Sequence, residues 1–185
     1  MQTDDRPKTV AWSRDLFVLL FLLRGMPFVD LAFLRRCDLQ GNVITYHRRK
    51  TSRKLTVVVG KEAMEIIQKY MYAIPDSPYL FPIIQNPGKD EYGQYARMLR
   101  LQNYRLTQVA NILGIRDRLS TYTARHTWAT TALRQNYNSS LICDAMGHSS
   151  VKVTETYFQP YRDDEVNRMN SSLITYILSK KKRGS

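Results

Sequence analysis

Residues 121–161 read TYTARHTWATTALRQNYNSSLICDAMGHSSVKVTETYFQPY and bring an arginine, a histidine and a tyrosine into one short segment, as Arg125, His148 and Tyr157. Ala124, Trp128, Ala129 and Leu133 recur at helical spacing, so 122–135 is predicted to be a helix. A second helix over 141–146 stops at Gly147, and a Gly-His-Ser-Ser turn follows. A third short helix over 151–158 would then present Tyr157 one or two turns after its start. A guanidinium, an imidazole and a phenol gathered this way suit a phosphodiester. The arginine forks onto non-bridging oxygens, the imidazole bonds one of them, and the phenol attacks phosphorus. Each residue also has an ordinary structural use, the tyrosine as a half-buried packing group and the arginine as a solvated charge.

The ordered strings ARHTWATTAL, MGHSS and VTETYF resemble the C-terminal signature of the tyrosine recombinase (phage integrase) family. That signature reads H-x-x-R-H-T-F-A-T, then L-G-H-S-S, then T-x-x-Y. The resemblance implies the family's C-terminal catalytic-domain fold. It also implies Tyr157 as nucleophile, Arg125 as the second catalytic arginine and His148 as the last histidine.

The rest of the chain is consistent with a DNA-directed domain. At 185 residues it is expected to form one domain able to bury a proper core. Its 28 basic and 16 acidic side chains leave a net charge of +12, which favours a polyanionic partner, nucleic acid first. Cys37 and Cys143 lie far apart without ligand spacing and read as reduced core residues of a cytosolic protein. No metal site is suggested. The apolar run 16–23 is too short to span a bilayer and follows Arg14 and Asp15, unlike a signal peptide.

Residues 1–11 read as an arm or linker, 12–180 as the catalytic domain and 181–185 as a basic tail. Family members usually carry an N-terminal helical domain that clamps the other face of the duplex. Nothing before Trp12 could form one, so a catalytic domain alone is expected, binding DNA weakly and cleaving poorly by itself. A buried helix is predicted over 12–24, capped by Ser13 or the turn before it, closed by Gly25 and followed by a helix over 27–36 that Pro27 starts.

That junction reads R-G-M-P-F-V-D-L where the family has T-G-L-R-x-S-E-L. With Gly25 and Asp30-Leu31 in register, the family's first catalytic arginine is replaced by Pro27, which carries no charge and donates no hydrogen bond. Arg24, across the turn, is the leading substitute, with Arg35 and Arg36 behind it. Arg24 could equally end its helix as a cation near the carbonyl end. Asp30 falls where the family has an acid that orients the arginine, and it could also serve as a first-turn acid.

Over 42–59 the pattern becomes NVITYHRRKTSRKLTVVV, alternating and β-branched, which predicts a hairpin with KTSR near its tip. Together with the helix-period segments it defines a mainly α fold with one small antiparallel sheet, an α+β architecture. The K-T-S resembles the family's K-T-G, which implies Lys50 as the general acid that protonates the departing 5′ oxygen, with Lys54 as the alternative. Arg48, Arg49, Arg53 and Lys54 would grip DNA backbone phosphates.

An amphipathic helix over 61–72, a connector over 75–87 packed on the core and a helical region over 91–113 come next. The loop 114–120 carries Arg116 and Arg118, expected to touch DNA. The family's H-x-x-R becomes Y-T-A-R, so Tyr122 stands where a histidine would manage the nucleophile's proton. With an unperturbed pKa of about 10 a phenol positions rather than accepts protons. His126 is expected to be a core hydrogen-bonding residue. Residues 163–180 are predicted to form an amphipathic C-terminal helix, and in related recombinases a terminal segment docks on a neighbouring protomer.

The resemblance implies metal-free, cofactor-free transesterification of double-stranded DNA through a 3′-phosphotyrosine, serving integration or excision of a mobile element. It further implies a homo-tetramer on DNA when full length, the fragment alone being monomeric, in the bacterial cytoplasm on the nucleoid and away from membranes. A type IB topoisomerase and a DNA-binding homologue without cleavage remain as alternatives, the latter because of Pro27 and Tyr122.

Overall fold

The computed structural model describes residues 9–150, 152, 154, 156 and 167–174. The arm over 1–8, Tyr157 and the tail over 181–185 therefore lie outside the described residues.

Helix α1 (Val10–Leu22) is the centre of the core, packed against α3 (Lys61–Tyr70), α4 (Glu91–Ile112) and α5 (Thr121–Arg134). Leu16, Leu19, Leu20 and Leu23 are at most 1% exposed. At roughly 1.5–3 kcal/mol for each fully buried leucine, this one helix supplies a large share of the apolar stabilisation. It starts two residues earlier than expected. Thr9 is the N-cap, its hydroxyl accepting from the Trp12 N–H at 3.2 Å, whereas Ser13 is buried inside the helix. Asp15, also on α1, is fixed by the Tyr70 hydroxyl at 2.7 Å and Lys69 Nζ at 3.0 Å, which joins α1 to α3.

The helix expected over 27–36 is much shorter, α2 (Phe28–Ala32). The chain beyond it is claimed by the connector: Leu80 N–H donates to Leu34 O at 2.7 Å and Arg36 N–H to Pro78 O at 2.9 Å. The connector packs on the core as expected, with Leu80, Phe81, Ile83 and Ile84 buried. A 3-10 turn (Arg36–Asp38) leads into the sheet and leaves Cys37 exposed, contrary to the expectation of a core thiol, while Cys143 is buried.

The sheet is antiparallel, in the order β1 (Leu39–Gln40), β2 (Val43–His47), β3 (Lys54–Val58). In the hairpin Ile44 faces Val57 and Tyr46 faces Leu55, all four buried, so the period-2 pattern sets the register. β1 was not expected. Helix α6 (Ser139–Met146) is capped by the Asn138 side chain and ends at Gly147, φ +64.

The fold is thus mostly helical with a small antiparallel sheet. Residues 167–174 are helical, with Met169, Leu173 and Ile174 exposed. No helix among the described residues is long and apolar enough to cross a membrane.

Candidate active site

Arg125 is carried inward by α5 and is only 5% exposed. Its guanidinium donates to Gly25 O at 2.6 Å and to Met146 O at 2.9 Å, tying the α1–α2 turn to the end of α6. Gly25 is required there twice over. Its φ is +65, and a Cβ would lie 3.0 Å from Arg125 Cα.

His148 follows directly from the helix stop. The left-handed Gly147 ends α6, and His148 N–H donates back to Cys143 O at 3.0 Å, turning the imidazole inward. Its Nδ1 lies 2.9 Å from Thr154 Oγ1, a residue fully buried. Burial first, then the positive charges of Arg125, Arg48 and Lys50, push its pKa down to about 4. At neutral pH the ring is uncharged, able to donate from one nitrogen and accept at the other.

The hairpin tip closes over this turn. Thr51 Oγ1 donates to Gly147 O at 3.2 Å, and Arg53 donates to His148 O at 3.2 Å and to Asp144 at 2.7 Å. Arg48 lies at the end of the β2 alternation, on the buried side after Ile44 and Tyr46. It donates to Asp30 Oδ2 at 2.8 Å, an ion pair with almost no solvent exposure.

These elements enclose a cleft of about 260 Å³ lined by Pro27, Arg48, Lys50, Tyr122, Arg125 and His148, among others. Four of the expected catalytic residues therefore share one cavity: Lys50, Tyr122, Arg125 and His148. Tyr122 is 60% exposed at its edge, its ring stacked with that of His126 at 6.4 Å. His126 is exposed, contrary to its expected place in the core.

Other expected residues lie outside the cleft. Arg24 is not brought to this cleft. It sits at φ +59, where the chain reverses after α1, so its side chain runs to β3 and donates to Thr56 O at 3.2 Å. It lines a separate, larger cavity with Phe21, Trp128 and Leu141. Arg35 and Arg36 are also outside the cleft's lining. Arg36 is held by the carbonyls of Pro75 and Ile74.

Asp30 accepts from Arg48 and from the Arg49 N–H at 3.0 Å, not from Arg24. Among the expected phosphate-gripping residues, Arg49 has its guanidinium 3.8 Å over the Phe33 ring, and Arg53 is engaged with the α6 turn. Lys54 pairs opposite His47 and is exposed, as are Arg116 and Arg118. Tyr157 lies outside the described residues.

The chain is thus a mainly helical domain with a hairpin tip folded over an arginine-histidine cleft. The chain matches the Phage integrase family over residues 1–163. It belongs to that family, the tyrosine recombinases. It is 32% identical over 169 residues to a tyrosine recombinase of Pseudothermotoga lettingae, covering 87% of this chain and 54% of that protein. To tyrosine recombinase XerC of Syntrophus aciditrophicus it is 24% identical over 163 residues, covering 82% of this chain and 50% of that one.

The chain thus spans about half the length of the curated relatives it matches. Among solved structures it shares the fold of XerA recombinase, with a TM-score of 0.58 at 20% identity over 88% of this chain and 62% of that one. It likewise shares the fold of XerH site-specific recombinase bound to difH substrate, with a TM-score of 0.60 at 17% identity over 86% and 46%. The Tn1549 transposon integrase in complex with transposon right end DNA gives 0.59 at 17% over 89% and 59%.

Proposed function

We propose that this chain is the catalytic domain of a site-specific DNA recombinase that cuts and rejoins strands through a 3′-phosphotyrosine, in the integration or excision of a mobile element. What supports the proposal most is one convergence. Lys50, Arg125 and His148, from three separate segments, line a single cleft whose other basic residue is Arg48. Each of the three stands at the position that the family pattern gives a catalytic role.

In this mechanism the scissile phosphate occupies the cleft and the Tyr157 phenol attacks phosphorus, forming the tyrosyl ester as the bond to the 5′ oxygen breaks. Lys50 protonates that oxygen, and the phenol's proton leaves to solvent. Arg125 and neutral His148 donate to the equatorial oxygens as charge grows there, a task for which fixed donors outperform water. Tyr122 donates a hydrogen bond and positions. The free hydroxyl of a second duplex then attacks the phosphotyrosine and exchanges strands, with no metal or nucleotide required.

DNA is the partner in the Tn1549 structure, and difH substrate in the XerH structure, whose fold this chain shares. The net charge of +12 suits the same partner, and the full-length protein acts as a tetramer on it. A nicked suicide substrate tests the proposal. A covalent protein-DNA adduct that vanishes in Tyr157→Phe supports it. No adduct from the full-length protein overturns it and leaves a DNA-binding homologue.

A further inference from the structure

We propose that Arg48 is the second phosphate-binding guanidinium of the cleft, supplying from the hairpin the charge that Pro27 lacks; this rests on the recombinase function above. Pro27 and Arg48 line the same cavity, so the vacated position and its substitute face one space. Arg24, the nearer candidate in the sequence, points to Thr56 and lines the other cavity.

The geometry of Arg48 is that of a charge held ready. Its backbone N–H donates to Arg53 O at 2.9 Å, fixing the base of the tip, and one terminal nitrogen donates to Asp30. Asp30 takes a second bond, on its other oxygen, from the Arg49 N–H, so this one stretch of hairpin engages both carboxylate oxygens. Gly147 leaves room for the stem: a Cβ there would come within 2.9 Å of Arg48 Cγ. Yet Arg48 Nε is buried with no hydrogen-bond partner among the described residues.

A purely structural ion pair would be expected to use its donors. A buried guanidinium with one donor orphaned carries a cost that a bound phosphate oxygen removes. A buried ion pair is also a weak source of stability compared with apolar packing, so stability alone does not account for its presence. The lowered pKa of His148, to which Arg125 and Arg48 both contribute after burial, is consistent with two guanidinium charges facing one imidazole.

The test compares the full-length protein with Arg48→Ala and with the double variant Asp30→Asn/Arg48→Met, which keeps an acceptor for the Arg49 N–H and fills the arginine's space. Adduct formation is followed on a nicked duplex carrying either an ordinary scissile phosphate or a methylphosphonate, in which one charged oxygen is replaced by a neutral methyl. On the ordinary substrate the variants are expected to lose about 10²–10³-fold. On the methylphosphonate they are expected to fall within about tenfold of wild type, because less charge needs balancing.

Equal loss on both substrates would mean a structural role and overturn the proposal. So would retention of wild-type rates on the phosphodiester. Should Arg48→Ala fail to fold, the double variant decides by the same two comparisons. Absence of any Tyr157-dependent adduct from wild type is a separate result, which removes the recombinase function itself.

Discussion

His148 holds its Nδ1 2.9 Å from the Thr154 hydroxyl, with the ring buried between the α6 turn and the arginines of the cleft. The pairing fixes the ring plane, and the surroundings keep it neutral. Its folded-state pKa of about 4 lies below the ordinary 6.5, so the unfolded chain takes up the proton first as pH falls. The associated stability is complete above the ordinary value and drains as pH drops toward the folded one. Urea unfolding should therefore show a loss of about 2.5 kcal/mol between pH 7.5 and 4.5 from this group, absent in His148→Gln. Identical pH slopes in the two proteins would refute it.

Gly25 is expected to tolerate a methyl group worse than its conformation alone predicts. Gly41 has a similar φ of +58 with nothing near its missing Cβ, whereas Gly25 meets the Arg125 backbone at 3.0 Å. Gly41→Ala should cost about 1 kcal/mol, the strain of the left-handed region. Gly25→Ala should cost roughly 2–4 kcal/mol, because Arg125 or the turn must move. Chemical denaturation of both variants checks the difference, and equal costs would mean that the turn gives way without resistance.

Lys50 and Lys54 are separated by chemistry rather than by loss of charge. Lys50 lines the cleft, while Lys54 lies on β3 opposite His47. Lys50→Ala should slow adduct formation by about 10²-fold or more, as expected for removal of a general acid. A substrate with sulfur in place of the bridging 5′ oxygen should restore most of the rate, since a thiolate leaves without a proton (thiol pKa about 8.5). Lys54→Ala should lose only a few-fold through weaker phosphate contact, and sulfur should not restore it. Sulfur rescue of Lys54→Ala in place of Lys50→Ala would exchange the two assignments.

Arg24 should be dispensable. Its φ of +59 is one that glycine adopts freely, and its guanidinium bonds to Thr56 O at an exposed position. Arg24→Gly is expected to change stability by less than about 1 kcal/mol, relief of strain offsetting the lost bond. Adduct yield should stay within about threefold. A hundredfold fall would return Arg24 to the site.

The contrast between Arg24 and Arg48 shows what could be read from the chain. The blocks around Arg125 and His148 were legible because their chemistry and their helix punctuation coincide, Gly147 being both a stop and a turn. Arg24 was favoured by proximity in sequence. A non-glycine residue in the left-handed region leaves no mark in composition, however, and that one dihedral sends the side chain toward β3.

Arg48 did carry a signal. Ile44, Tyr46 and Arg48 fall on one face of the hairpin, so the alternation that predicted the strand also places this arginine inward. What the alternation could not show is the acid 18 residues earlier that makes burial of the charge tolerable. The short α2 was hidden for a similar reason, since its competitor for the backbone, the segment around Tyr79, is remote in sequence.

The bonds that assemble the cleft span nearly the whole domain: Arg125 to Gly25 across 100 residues, Thr51 to Gly147 across 96. The short segment that carries Arg125 and His148 lacks the α1–α2 turn and the hairpin tip that complete their cleft, and ring closures of that length are the slow ones in folding. A nascent or proteolysed polypeptide would carry the same charged side chains without the enclosed cleft that gathers them.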